Sequence, residues 1–145
     1  MTDAELYTLI QGDTQAKQKA DIGDDSGCAA RCSVIAPTIR QPVEARRVQE
    51  IATLNGLWGA LVIAAQDPNL TNPPRGVAVN FVSWIEKGFP LNPDSVPVQQ
   101  MAAALMAYNL ATAEQVQELS DAANTPQTIS PAQVSDAMRP YRGGV

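Results

Sequence analysis

The sequence of 145 residues contains no histidine, the side chain most often used for acid–base catalysis near neutral pH. This absence excludes a Ser-His-Asp triad or a Cys-His dyad, and neither a GxSxG turn nor a GxxxxGK phosphate loop occurs. Carboxylates such as Asp24 with Asp25, and Glu114 with Glu118, lie in polar segments typical of solvated helix starts and faces. We therefore predict a protein that is not an enzyme, with no catalytic residues and no cofactor.

Cysteine is scarce, and the two cysteines, Cys28 and Cys32, stand four positions apart in "GCAARC". This spacing puts both on one helix face but gives poor geometry for a disulfide across an intact turn. A tetrahedral metal site would need further ligands, and no other cysteine or carboxylate is spaced to supply them. We predict a buried thiol pair and no metal site; metal or redox chemistry and a contact between chains are the alternatives.

Positive charge is in deficit, with ten Lys and Arg against fifteen Asp and Glu and a net charge of −5. The balance opposes attraction to phosphate backbones, so we do not expect nucleic acid as a partner. The basic clusters Lys17 with Lys19, Arg46 with Arg47, and the arginines of the tail are each short. Solvated helix ends explain them, and docking to an acidic protein surface is the alternative.

The stretch "IATLNGLWGALVIAAQ", residues 51–66, runs sixteen residues without a formal charge. A bilayer span needs about twenty predominantly apolar residues, whereas this run is shorter, contains Thr53 and Asn55, and has no basic anchor on its distal side. We predict no membrane partner. The good helix formers from Glu44 onward instead predict one core helix over about 44–66.

Aromatic residues make up 5% of the chain while alanine is abundant, which favours helices that pack through small residues. Pro37 and Pro42 disfavour helix on their N-terminal sides and predict an extended connector between two helical parts. The sequence predicts an all-α protein, a small helical bundle with short extended linkers. Its parts are an N-terminal helical arm at 1–35, a linker at 36–43, a helical bundle at 44–138 and a C-terminal tail at 139–145.

The stretch "RGVAVNFVSWIEKG" has two interpretations, because its β-branched residues also suit a strand. Val77, Phe81 and Trp84 follow helical spacing, and no second convincing strand is present to pair with it. We predict a helix here. Trp58 and Trp84 are expected mainly in the core.

The arm has little to bury, since "DTQAKQKADIGDDS" offers one large apolar residue. Segments of this kind gain order when they dock on another chain. We therefore predict that the arm and the tail contact neighbouring proteins. The candidate contact residues are Leu6, Ile10, Tyr141 and Arg142.

Two segments, "LATAEQVQELSDAANTPQTISPAQVSDAMRPYR" and "AKQKADIGDDSGCAARCSVIAP", resemble small uncharacterised proteins from the virion and assembly genes of tailed bacteriophages. The resemblance implies a noncatalytic structural protein of the capsid or head–tail junction. Such a subunit is a homo-oligomer, is present in many copies and binds capsid, portal or tail proteins. It would be made in the host cytoplasm, in keeping with a start, "MTDAELYTLI", that lacks a cationic leader, and would reside in the virion. The alternative is a soluble phage-encoded assembly chaperone or an inhibitor of a host protein.

Overall fold

Helices dominate the computed structural model, which describes residues 1–143. Two short strands, β1 and β2, pair as a two-stranded sheet, and a 3₁₀ turn follows the last helix. The predicted all-α class is confirmed. In chain order the elements are α1 Asp3–Gly12, α2 Thr14–Asp21, α3 Asp25–Ile35, β1 Ile39–Arg40, α4 Ala45–Leu54, α5 Leu57–Gln66, α6 Pro74–Glu86, α7 Val96–Ala107, α8 Ala113–Asp121, β2 Asn124–Thr125, α9 Pro131–Met138 and the 3₁₀ turn Arg139–Tyr141.

The chain divides into two units, each with a hydrophobic core of its own. Unit 1 combines residues 1–39 with 126–143, and unit 2 comprises residues 40–125. This differs from the predicted parts, which placed α9 in the bundle at 44–138 and the tail by itself. The apolar face of α9 instead packs against α1 and α3, because the arm has too few apolar residues to form a core alone.

Unit 1 is a set of four helices whose first two begin with strong caps. Thr2 and Glu5 form a capping box at α1, and the Asp13 carboxylate accepts from the Ala16 N–H at the start of α2. Asp13 also accepts two bonds from the Arg31 guanidinium, at 2.8 and 3.0 Å, which lowers the pKa of this carboxyl to about 2. Among its buried residues α2 has only alanines, so it depends on its neighbours for burial.

Unit 2 contains α4 to α8, and its most extensive pairing is between α5 and α6. Leu57 and Leu61 of α5 are fully buried, and Phe81 and Ile85 of α6 are almost fully buried. Such large apolar side chains, removed from water, supply most of the stabilising free energy of a core this size. The expectation that the uncharged run enters the core is therefore confirmed for its α5 half.

The single helix predicted over 44–66 is wrong. Helix α4 ends at Leu54, α5 begins at Leu57, and the two axes meet at 96°. Gly56 adopts a left-handed conformation with φ +82°, and the Asn55 side chain accepts from the Leu57 N–H at 3.1 Å. Glycine tolerates this conformation because it has no Cβ, so Asn-Gly ends one helix and starts another.

Within residues 1–143, no single helix is both long and apolar enough to cross a bilayer. The pair α4 and α5 meets the two criteria only when taken together across its 96° bend.

The helix predicted from "RGVAVNFVSWIEKG" is confirmed as α6. Its buried face matches the predicted spacing at Phe81, but Trp84 is 38% exposed and is not mainly core. The Trp84 indole N–H donates to the Pro90 carbonyl at 3.1 Å, and its ring lies against Phe89. Trp58 packs, partly buried, against the unit 2 core as expected.

We predict opposite effects of alanine at two glycines near the bend, Gly56 and Gly59. An added Cβ would meet no heavy atom within 4 Å at either position, so backbone conformation alone decides the effect. Gly56→Ala should lower the free energy of unfolding by about 1 kcal/mol, because a left-handed backbone is costly for alanine. Gly59→Ala, within α5, should raise it by about 0.5–1 kcal/mol, because alanine is the better helix former. Urea unfolding followed by tryptophan fluorescence reports on unit 2, where both tryptophans lie. Equal effects of the two changes would contradict a left-handed Gly56.

Candidate functional site

A groove of about 300 Å³ in unit 2 is lined by α7 and α8. Helix α7 packs against α6 while α8 packs against α4, so each is held by a different neighbour. The five residues that join them include Asn109 in a left-handed conformation, which ends α7. A gap remains between the two helices because neither packs closely on the other.

The floor of the groove is apolar and belongs to the unit 2 core. Leu91 lies in it, fixed by a backbone bridge in which Val43 and Leu91 exchange hydrogen bonds of 2.7 and 2.8 Å. The other floor residues come from α5, α6, α7 and α8, so every helix of unit 2 except α4 contributes a side chain. The floor side chains are Leu57, Phe81, Leu91, Val98, Leu105 and Leu119.

The rim is polar and carries amides, a hydroxyl and one carboxylate. Gln99 lies on the α7 side, Gln117 and Ser120 lie on the α8 side, and Asp94 precedes α7. The Gln117 amide donates to the Asp121 carboxylate at 2.7 Å, one turn further along the exposed edge of α8. An apolar floor with a polar rim is typical of surfaces that receive side chains from another protein.

Arg40 ties the α6–α7 loop to the end of α8 beside this rim. Its guanidinium donates two bonds to the Asp94 carboxylate, at 2.9 and 3.0 Å, and also bonds the Ser120 carbonyl and hydroxyl and the Asn124 side chain. This planar, two-point pairing lowers the pKa of Asp94. The loop that positions Leu91 and Asp94 is thereby fastened to α8.

The lining of this groove is suited to binding apolar groups. Asp94 is the titratable side chain on its lining, and it is already paired with Arg40. Within residues 1–143, no three side chains of the metal-binding types lie together in a way that could hold an ion. The groove therefore offers contact area and shape, with polar groups limited to its edge.

The four predicted contact residues all lie in unit 1, where each contacts other residues of the same unit. Leu6 and Ile10 are 2% and 0% exposed in its core, which corrects their assignment to an intermolecular contact. The ring of Tyr141 stacks on Tyr7 with centroids 3.7 Å apart, yet Tyr141 stays 59% exposed. Arg142 donates to the Ala20 carbonyl and the Asp25 carboxylate, both at 2.7 Å.

The cysteines form the buried thiol pair expected from their spacing. Cys28 and Cys32 are free, fully buried and 4.0 Å apart between their sulfur atoms. Burial is the main cause that raises the pKa of Cys28 to about 12. Thiolate is the reactive form of cysteine, so both groups belong to the packing of unit 1.

The sequence pattern does not predict the groove, although the residues that line its two walls follow helical spacing. Val98, Met101 and Leu105 have the spacing of one apolar stripe, and Val116 and Leu119 form another. Spacing identifies a face that avoids water but does not say which partner covers it. The groove is visible only when the neighbours of α7 and α8 are known.

Comparisons of the chain with models of known protein families, with curated proteins and with solved structures found no match. The binding role proposed below therefore rests on the geometry of the groove and the charge around it.

Arg142 bonds Ala20 and Asp25, so we predict that the tail restricts local opening of unit 1 around Cys28 and Cys32. Arg142→Ala should destabilise this unit by about 1 kcal/mol and speed labelling of both cysteines about fivefold, through local opening. Labelling by a chromogenic disulfide reagent under native conditions measures the effect. Arg139→Ala is the matched control, because Arg139 pairs with Asp136 of α9, only three positions earlier in the chain. Equal labelling rates in wild type and Arg142→Ala would contradict the closing role of the tail.

The pairing of Arg40 makes a prediction about pH. Because Arg40 lowers the pKa of Asp94, the ion pair is fully formed above the ordinary aspartate pKa and is lost as pH falls through the lowered one. Arg40→Gln should raise the pKa of Asp94 toward its ordinary value, measured by NMR titration of the carboxyl carbon. Arg47→Gln, which removes an exposed pair with Glu50, is the control and should leave the pKa of Asp94 in place. An unchanged pKa of Asp94 in Arg40→Gln would contradict the pairing.

Proposed function

We propose that this protein is a noncatalytic structural protein of a tailed bacteriophage that binds other virion proteins. In this proposal it is a multi-copy subunit of the capsid or the head–tail junction. The observation that carries its binding role is the groove of unit 2, with an apolar floor, a polar rim and a volume of about 300 Å³.

Exposed apolar side chains elsewhere on both units support a role in contacts between proteins. The four most exposed large apolar residues are Ile22, Val34, Leu54 and Ile63, each more than 70% accessible. Scattered singly, such residues are ordinary on a protein surface, but with an apolar groove they add contact area. A subunit packed among others in a particle would cover them.

The virion location is supported by the two sequence segments that resemble small phage proteins. The structure changes which surfaces would serve as contacts. Leu6 and Ile10 are enclosed in unit 1, so the groove replaces them as the main candidate surface, while Tyr141 keeps an exposed ring face.

The second candidate function is a soluble phage-encoded assembly chaperone or inhibitor of a host protein. The three exposed carboxylates of α8, Glu114, Glu118 and Asp121, favour this alternative, because an acidic surface can compete for a basic site. The same groove would then bind its target outside the particle.

Copy number distinguishes the two functions. We expect quantitative mass spectrometry of gradient-purified particles to count this chain at a fixed ratio to the portal protein, because subunits in a closed assembly follow its symmetry. A nonstructural protein from the same infection serves as the control for carry-over. Abundance in infected cells with only carry-over levels in particles would overturn the structural proposal in favour of the soluble alternative.

A further inference from the structure

We propose that the groove between α7 and α8 binds one amphipathic helix of another protein, with apolar side chains in the groove and Lys and Arg along its flanks. This inference rests on the proposed binding function and names the chemistry of the partner. Three observations carry it: the spacing of the side chains that line the groove, the character of its floor and the charge of its edges.

The spacing matches a helix laid along the groove. On α7 the lining residues Val98, Met101, Ala102 and Leu105 stand at i, i+3, i+4 and i+7, which spans about 10 Å at the rise of an α-helix. Val116, Leu119 and Ser120 line the α8 side with the same periodicity. A partner helix that contributes side chains at i, i+4 and i+7 fits two such walls.

The floor favours apolar side chains over a polar small molecule. Within residues 1–143, no buried side-chain nitrogen or oxygen lacks a hydrogen-bond partner. Small-molecule sites generally have a few precisely placed polar groups that fix orientation. Here the polar groups stand at the rim, where the exposed face of a helix would meet them.

The charge of the residues around the groove indicates the charge that the partner helix should carry. Residues 88–125, which include α7, α8, the loop between them and the α6–α7 loop after Lys87, contain four carboxylates and neither Lys nor Arg. Glu114, Gln117 and Asp121 follow one another along the exposed edge of α8 beside the groove. Arg40 reaches the rim, but its charge is engaged by Asp94. A helix flanked by Lys and Arg is therefore attracted to this edge, and one flanked by Glu is repelled.

The same charge argues against a second copy of this chain in the groove. Each copy carries a net charge of −5, so two copies repel one another over the distance at which association begins. A basic segment of a different protein gains attraction at that distance.

The first test selects peptides against the full chain. The probe is a displayed library of helical peptides of about 16 residues, roughly four turns, with leucine fixed at i, i+4 and i+7 and Lys, Glu, Gln or Ala elsewhere. We expect recovered peptides to be enriched in Lys over Glu by about fivefold, equivalent to about 1 kcal/mol. Recovery without a charge preference, or no recovery above an uncoated surface, would overturn the inference.

Charge reversal tests the edge without disturbing the core. The double variant E114K/D121K changes two exposed residues of α8 and should reverse the preference from Lys to Glu. The control E44K/E86K changes the net charge equally at two other exposed residues of unit 2 and should keep the preference for Lys. The same preference in both double variants would show that net charge, and not this edge, selects the peptide, and would overturn the inference.

Two neighbouring alanines of α7 test the location. Ala102 lines the groove and Ala103 is exposed outside it, so A102R should weaken binding of a selected peptide at least about tenfold, or 1.4 kcal/mol. A103R should leave it unchanged, and tryptophan fluorescence checks that both variants fold. Sedimentation of the unliganded chain completes the test. Self-association that A102R abolishes and A103R preserves would identify a second copy as the occupant and overturn the inference.

The two proposals fail separately. Selection of basic helices by a chain that is absent from particles would overturn the virion location and leave the helix partner standing. A fixed copy number in particles, with no selection of basic helices, would overturn only the partner proposed here.

Discussion

The left-handed conformation of Gly56 is the constraint on which unit 2 depends. It turns a run of uncharged residues that has the composition of one long helix into two helices at 96°. Because of this turn, α5 packs against α6 while α4 remains in contact with α5, α6 and α8. Leu57, the first residue after the turn, then lies in the floor of the groove. A straight helix over the same residues would carry Leu57 elsewhere.

A different constraint holds unit 1 together. Its helices come from both ends of the chain, and its core contains small residues such as Ala16, Ala20 and the two cysteines. Helices with so little apolar surface need polar contacts at their ends. Asp13 with Arg31 and Arg142 with Asp25 supply them, and they join residues 18 and 117 positions apart. The arm and the tail, which the sequence predicts to contact other proteins, contact each other in this unit.

Local signals in the sequence predicted the helices well, because capping and proline effects act within a few residues. Thr112 and Ser130 form capping boxes at the starts of α8 and α9, and α6 is a helix and not a strand. The bend at Asn55-Gly56 was missed because good helix formers flank it on both sides, although Asn-Gly is itself a signal for a left-handed residue.

Long-range features could not be read from spacing alone. The apolar stripe of α9 has no mark that directs it to α1 rather than to the bundle, since hydrophobic attraction is not directional. The groove depends on what α7 and α8 leave uncovered, which follows from the neighbours that each helix meets. Charge differs from packing in this respect, because the absence of Lys and Arg from residues 88–125 can be seen in the sequence itself. Its consequence for a partner appears once these residues are placed around an apolar groove.

The turn at Gly56 places Leu57 in the floor of the groove, and the acidic edge of the groove is the basis for the proposed basic partner. The most direct test of this account is NMR of the full chain, with Cα chemical shifts for residues 44–66 and residual dipolar couplings for α4 and α5. The account predicts helical shifts over Ala45–Leu54 and Leu57–Gln66, an interruption at Asn55 and Gly56, and an angle near 96° between the two axes. One uninterrupted helix from 44 to 66, with parallel axes throughout, would contradict it.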